Sequence, residues 1–244
     1  MNKLILLSIL FLTISSSCFA DNGWFKKTFE AIKSNPATNA LTETKLSDTK
    51  IGQGLKETLK VGIKNAVTLV SQKNGYFENE SIKILIPEKL KVLDKALRVV
   101  GFGGKLDEFV LSMNRAAENA APYAEDIFYD AIFDLSFADV QSIYKGDATA
   151  ATEYLQKSTS DKLKNAFRPA VEKTLNEFGV TKQYKEILAK YQSIPFSKNL
   201  PAPEIEDYVI GQALNGLFFA LGNEEKKIRT DPAARTTNLL KEIF

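Results

Sequence analysis

"IGQGLKETLKVGIKNAVTLV", residues 51–70, decides the fold class. Ile51, Leu55, Leu59, Ile63, Ala66, Val67 and Val70 recur at intervals of three and four. That spacing predicts one apolar stripe along a helix from about Ile51 to Lys73, because only a period near 3.6 keeps such positions on one face. Gly62 falls inside this helix, where a residue without a side chain signals close approach by a neighbour.

The same period continues downstream. "KNGYFENESIKILIPEK" interrupts it with the Asn74-Gly75 turn signal and with "SIKILIP", the one stretch expected to be extended. Pro87 then suits the first position of a helix running to about Val100. In "GKLDEFVLSMNRAAENAAP", Leu106, Phe109, Val110, Met113, Ala117 and Ala120 share a face, and the many small residues predict close packing. Pro122 ends or kinks this helix, and "YAEDIFYDAIFDL" continues it with apolar residues on two sides, the pattern of a centrally placed helix.

Ser136 and Asp139 resemble a capping box, Asp147 and Ser160 read as caps of later helices, and Gly179 ends another. "TKQYKEILAKYQSI" is helical, "PFSKNLPAP" is a surface loop, and Asp231 and Pro232 are placed to open a last helix. The expected architecture is all-α, a single globular domain of about eight to ten helices over residues 51–244. Residues 21–50, rich in Asn, Thr, Ser and Lys, are expected to form a loosely held N-terminal arm.

Upstream, "MNKLILLSILFLTISSSCFA" places one Lys before an apolar run and ends on a small residue. Residues 1–20 therefore read as a signal peptide cleaved after Ala20, which predicts a periplasmic protein. The run is too short for a transmembrane helix, which needs roughly 20 apolar residues, so no membrane span is expected in the mature chain. Lipid anchoring through Cys18 is the alternative, but Ser15 stands where that processing wants an aliphatic residue.

Composition excludes several chemistries. The chain has 32 basic and 30 acidic side chains, and losing Lys3 with the leader leaves them within one charge of balance. Nucleic acid is then not an expected partner, since phosphate backbones need a concentrated basic surface. The chain has no histidine, and its one cysteine is Cys18. Disulfides, Ser-His-Asp triads and His- or Cys-ligated zinc are therefore excluded from the mature protein.

The terminal "NEEKKIRTDPAARTTNLLKEIF" gives the first candidate site. With Asp231 as cap, Arg229 precedes the last helix and Arg235 sits in its fourth position beside Thr236. Helix N-termini favour anions and guanidinium forks bind carboxylate or phosphate. Arg229, Arg235 and Thr236 are thus candidates for an anion pocket, the alternative being pairing with Glu224, Glu225 or Glu118. "MNRAAE" gives the second: Asn114 and Glu118 share a stripe, and Arg115 reaches Glu118 at i+3.

Asp126, Asp130 and Asp134 form an i, i+4, i+8 row, too spread along one helix for a calcium cage and so expected to be a solvated face. "GFGGKL" and "GQGLKE" match no nucleotide fingerprint. Glu80-Ser81 is the pair that a His-free wall-cleaving transglycosylase would use. No cofactor, metal ligand or catalytic residue is otherwise assigned.

"GLKETLKVGIKNAV", "LSMNRAAENAAP", "FRPAVEKTL" and "EEKKIRTDPAARTTNLLKEIF" together resemble one family, the exported bacterial proteins called domain of unknown function 4197. The resemblance covers roughly Gly52 to Phe244. It implies an α-helical envelope protein and supplies no activity or catalytic residues.

The functional expectation is a non-enzymatic module that binds an amphipathic ligand, such as a lipid or other amphipathic anion, or an envelope protein. In the lipid case Arg229 and Arg235 would hold the head, with Phe218 and Phe219 bordering the tail. The alternatives are a carboxylate-dependent wall hydrolase or lyase using Glu118 or Glu80, and a purely structural envelope protein.

Overall fold

The computed structural model describes residues 36–99, 101–182, 184–186, 204–238 and 241, with side chains from residue 50 onward except that of residue 93. The leader, Cys18, the beginning of the arm, "PFSKNLPAP" and much of the helix expected before it lie outside the described residues. The chain divides into two compact units, Met1–Asp48 and Thr49–Phe244, and the hydrophobic core belongs to the second.

Seven α-helices are present among the described residues, somewhat fewer than expected: α1 (Pro36–Ser71), α2 (Lys91–Val99), α3 (Gly103–Ala120), α4 (Ala124–Phe133), α5 (Phe137–Lys145), α6 (Ala150–Glu177) and α7 (Ile205–Thr230). Short 3-10 turns occupy Glu88–Leu90, Ala121–Tyr123 and Pro232–Ala234. The described residues contain no strand. The fold is all-α.

The stripe of α1 is buried as expected: Leu55, Leu59, Ile63, Ala66, Val67 and Val70 face the core. Gly62 brings the helix against α7, since a Cβ there would stand 3.7 Å from Ile228 Cδ1. The helix also begins well before Ile51, at Pro36. Past its end Asn74 adopts a positive φ of 71°. Gly75 follows so tightly that a Cβ would lie 2.5 Å from Leu69 O and 2.7 Å from Val70 O. Only glycine fits, which is why the turn is Asn-Gly.

Helices α3, α6 and α7 pack mutually to form the centre, with α4 and α5 against α6. Close approach rests on small residues: Ala116, Ala117 and Ala120 of α3 and Ala213 of α7 are fully buried. Phe128 of α4 meets Phe218 of α7 edge to face, with ring centroids 5.8 Å apart. Such a pair adds ~1 kcal/mol to the burial of the two rings.

"SIKILIP" alternates buried Ile82, Ile84 and Ile86 with more accessible Lys83 and Leu85 and pairs with no strand, because the partner of its backbone at Ile84 is the Asn114 side chain of α3. Three expectations are corrected. Ser160 caps nothing: α6 runs unbroken through it and its hydroxyl donates to the Gln156 carbonyl one turn back. Helix α4 is not central, because Phe133 at its end is 82% exposed. Finally, Asp231 caps only the 3-10 turn Pro232–Ala234, through Ala233 N–H, and Arg235 lies past that turn rather than inside a helix.

Other local readings stand. Ser136 and Asp139 form a reciprocal capping box at α5, and Gly179 takes a positive φ of 67° just beyond α6. Pro122 sits in the 3-10 turn that joins α3 to α4.

Candidate functional site

The polar residues singled out in α3 clamp the loop that follows α1. Asn114 is fully buried. Its side-chain oxygen accepts from Ile84 N–H at 2.8 Å, and its nitrogen donates to Ile84 O at 2.8 Å and to Val110 O at 2.7 Å. One amide thus replaces a neighbouring strand for Ile84. Glu118, 3% exposed, accepts from Tyr76 N–H at 3.1 Å and Phe77 N–H at 3.2 Å. Arg115 pairs with its other oxygen and donates to Asn74 Oδ1 at 2.6 Å.

Tyr76 locks this loop to α7. Its ring is fully buried, its hydroxyl donates to Ala213 O at 2.6 Å, and Gly216 leaves room for it. Burial, and then the nearby Glu118 charge, push the phenol far above its usual range, so it stays neutral.

The terminal arginines form a second clamp. The Glu225 carboxylate, 4% exposed, accepts from Ala151 N–H at 3.0 Å, Thr152 N–H at 2.8 Å and the Thr152 hydroxyl at 2.8 Å. It therefore caps the start of α6, where orphan amides and the macrodipole favour a negative charge. Arg229 donates to this carboxylate from Nε and Nη2 and to Ile143 O at 3.0 Å, a carbonyl in the last turn of α5. Arg235 donates to Ile228 O at 3.2 Å and Arg229 O at 2.9 Å, the final turn of α7. Each guanidinium thus meets a helix C-terminus, where the dipole favours a cation. The anion that Arg229 binds is the protein's own Glu225. Thr236 is exposed next to this clamp.

The remaining sequence candidates do not assemble. Asp126, Asp130 and Asp134 are all exposed, a solvated face. No group of three or more His, Cys, Asp or Glu side chains among the described residues is placed to hold a metal ion. Glu80 and Ser81 stand exposed on a turn, with Lys83 3.8 Å from the Glu80 carboxylate. Gly103 and Gly104 begin α3.

The accessible concavity near the second clamp is a groove of about 320 Å³ between α6 and α7. Thr149, Thr152, Glu153 and Gln156 line one wall, and Asn215, Phe218, Phe219, Asn223 and Lys226 the other. Phe218 is buried at its floor, whereas Phe219 is 48% exposed. Asn215, Asn223 and Lys226 were not singled out in the sequence, where they read as the polar face of an amphipathic helix. A wider groove of about 460 Å³ lies between the 83–89 segment and Tyr208 and Gln212 of α7.

Residues 45–244 match the sequence profile of a family described as protein of unknown function (DUF4197), and the chain belongs to that family. No curated protein and no solved structure matches it. No helix among the described residues is long and apolar enough to cross a membrane.

Proposed function

We propose that this DUF4197 protein is a non-enzymatic binding module of the bacterial envelope, exported by its N-terminal leader, that takes an amphipathic ligand in the groove between α6 and α7. The observation that carries this reading is the half-exposed Phe219 beside buried Phe218, rimmed by the amides of Gln156, Asn215 and Asn223 and by Lys226. An apolar floor with a few convergent polar groups is the usual composition of a ligand site. Lys226 supplies the cation at the rim, because Arg229 and Arg235 are engaged by Glu225 and by backbone carbonyls.

A wall hydrolase needs an acid that faces substrate. Glu118 spends its oxygens on Tyr76, Phe77 and Arg115, and Glu80 sits on an open turn, so neither favours that reading.

Native mass spectrometry of the protein isolated from its own cells tests the proposal. A stoichiometric extra mass is expected, lost in Phe219→Asp and weakened in Lys226→Glu, with α-helical content unchanged in both. A bare protein mass, or a ligand that both variants retain in full, removes the groove from consideration. Wall digestion that disappears in Glu118→Gln would replace binding with hydrolysis.

A further inference from the structure

The polar groups of the α6/α7 groove are set out in a pattern that narrows the chemistry of its ligand. Asn215, Phe219 and Asn223 stand at i, i+4 and i+8 on α7, so one aromatic ring lies between two amides in a single row, each ~6 Å away along the helix. Gln156 and Glu153 of α6 belong to the facing wall. The side-chain amides of Gln156, Asn215 and Asn223 make no hydrogen bond among the described residues. Each therefore keeps a two-proton donor and a carbonyl acceptor for a ligand. Phe219 is 48% exposed between them.

The groove is poorly made for an anionic head. Its charged side chains are one carboxylate, Glu153, and one ammonium, Lys226, which cancel. The amides at the start of α6, the natural seat for a phosphate, are already held by Glu225. An acyl chain, for its part, needs a longer apolar track than Phe218 and Phe219 supply.

A pyranose sugar fits what remains. Its ring spans about one helical turn between opposite hydroxyls, and it is amphipathic in itself, with C–H groups on its face and hydroxyls around its rim. The C–H face is weakly positive and matches the negative face of a phenyl ring. Each hydroxyl both donates and accepts, and a side-chain amide answers both. We propose that the groove binds a neutral hexopyranose unit, stacked on Phe219 and hydrogen-bonded at its rim by Asn215, Asn223 and Gln156. The assignment rests on the groove being a ligand site, and it names the part of the ligand held there: the sugar of a glycolipid or of a glycan chain.

Amide NMR titration of the mature protein with octyl glucoside, octyl galactoside, octyl phosphate and cellotetraose tests it, the first three sharing one tail. A glycoside should bind at least about tenfold more tightly than octyl phosphate, because paired hydroxyls are lost with the phosphate head, and should shift the side-chain amides of Asn215 and Asn223. Cellotetraose binding as tightly as octyl glucoside supports a glycan chain as the source, and binding of the glycosides alone supports a glycolipid. Phe219→Trp should keep the affinity, whereas Phe219→Leu, which retains an apolar contact but no ring, should lower it about three- to tenfold. Asn215→Leu with Asn223→Leu should lower it about tenfold or more. All three positions are exposed, so the urea midpoint should stay in place. Octyl phosphate bound more tightly than either glycoside, through the same amide shifts, overturns the sugar assignment and leaves the groove as a ligand site. Amides that neither glycoside shifts, or glycoside binding that neither Phe219→Leu nor the double asparagine variant weakens, also overturn it; whether the groove holds any ligand is then read from the mass of the protein isolated from its own cells.

Discussion

Replacing Glu225 by alanine should be among the most damaging single changes to stability. The substitution removes the acceptor for Ala151 N–H, Thr152 N–H and the Thr152 hydroxyl, and takes from the Arg229 guanidinium, 13% exposed, the carboxylate that it meets at 2.9 Å. Breaking a buried pair from one side costs ~3–5 kcal/mol, and the lost cap of α6 is part of the same loss at ~1 kcal/mol. Arg229→Ala should cost less, ~2 kcal/mol, because the carboxylate keeps its three donors from α6. The double variant should fall close to Glu225→Ala alone rather than to the sum, since both changes dismantle one network. Urea unfolding at constant m measures this, and a Tm lower by roughly 8–15 °C should accompany the Glu225 change in a domain of this size. A loss under ~1 kcal/mol for Glu225→Ala would place the pair among solvent-screened surface bridges. Greater damage from Arg229→Ala would show that the carboxylate is not the hub.

Packing and burial give three further expected outcomes. Gly216→Ala puts a Cβ 2.5 Å from Tyr76 Cε1 and 3.1 Å from Ile82 Cβ, and should cost ~2–3 kcal/mol in urea unfolding; Gly211→Ala, which meets nothing within 4 Å, should stabilise by ~0.5–1 kcal/mol. Asn114→Ala strands the Ile84 N–H and carbonyl, should cost ~2 kcal/mol or more, and should speed hydrogen exchange at Ile84 beyond the rest of the loop. Burial pushes the Tyr129 phenol up to about 12, helped by its bond to Glu125, and burial pushes Tyr184 to about 12 as well. The folded state therefore holds these protons more tightly than the unfolded chain. Their stabilisation is complete below about pH 10 and drains as pH climbs toward about 12, so the urea midpoint should fall across that window; a flat midpoint there contradicts the assignment.

What could be read from the sequence was what short-range periodicity and turn chemistry encode. The α1 stripe, the Asn74-Gly75 turn, the Ser136–Asp139 box and Gly179 involve residues within a few positions of one another, and each appears in the structure. Ser160 misled because a serine inside a helix can satisfy itself on the carbonyl four residues back, which looks like a cap in the sequence. Pro169 in α6 would likewise suggest a break where none occurs. The partners of Asn114, Glu118 and Glu225 were out of reach, because those bonds join residues separated by 30, 42 and 74 positions. Charge and spacing identified Arg229 and Arg235 as residues in need of acceptors. Which acceptors depended on helix ends that only tertiary packing brings near.

The clamp on Tyr76 also has a consequence for the order of assembly. Its hydroxyl partner Ala213 is 137 residues further along the chain, and Asn65 donates to Glu224 across 159. The first half of the core therefore has no lid until the ribosome has nearly finished. Contacts of such long range are formed late and slowly, and a nascent chain stopped before Ile205 would lack the helix that both α3 and α6 pack against. Such a polypeptide is without the α7 side of its core for most of its synthesis.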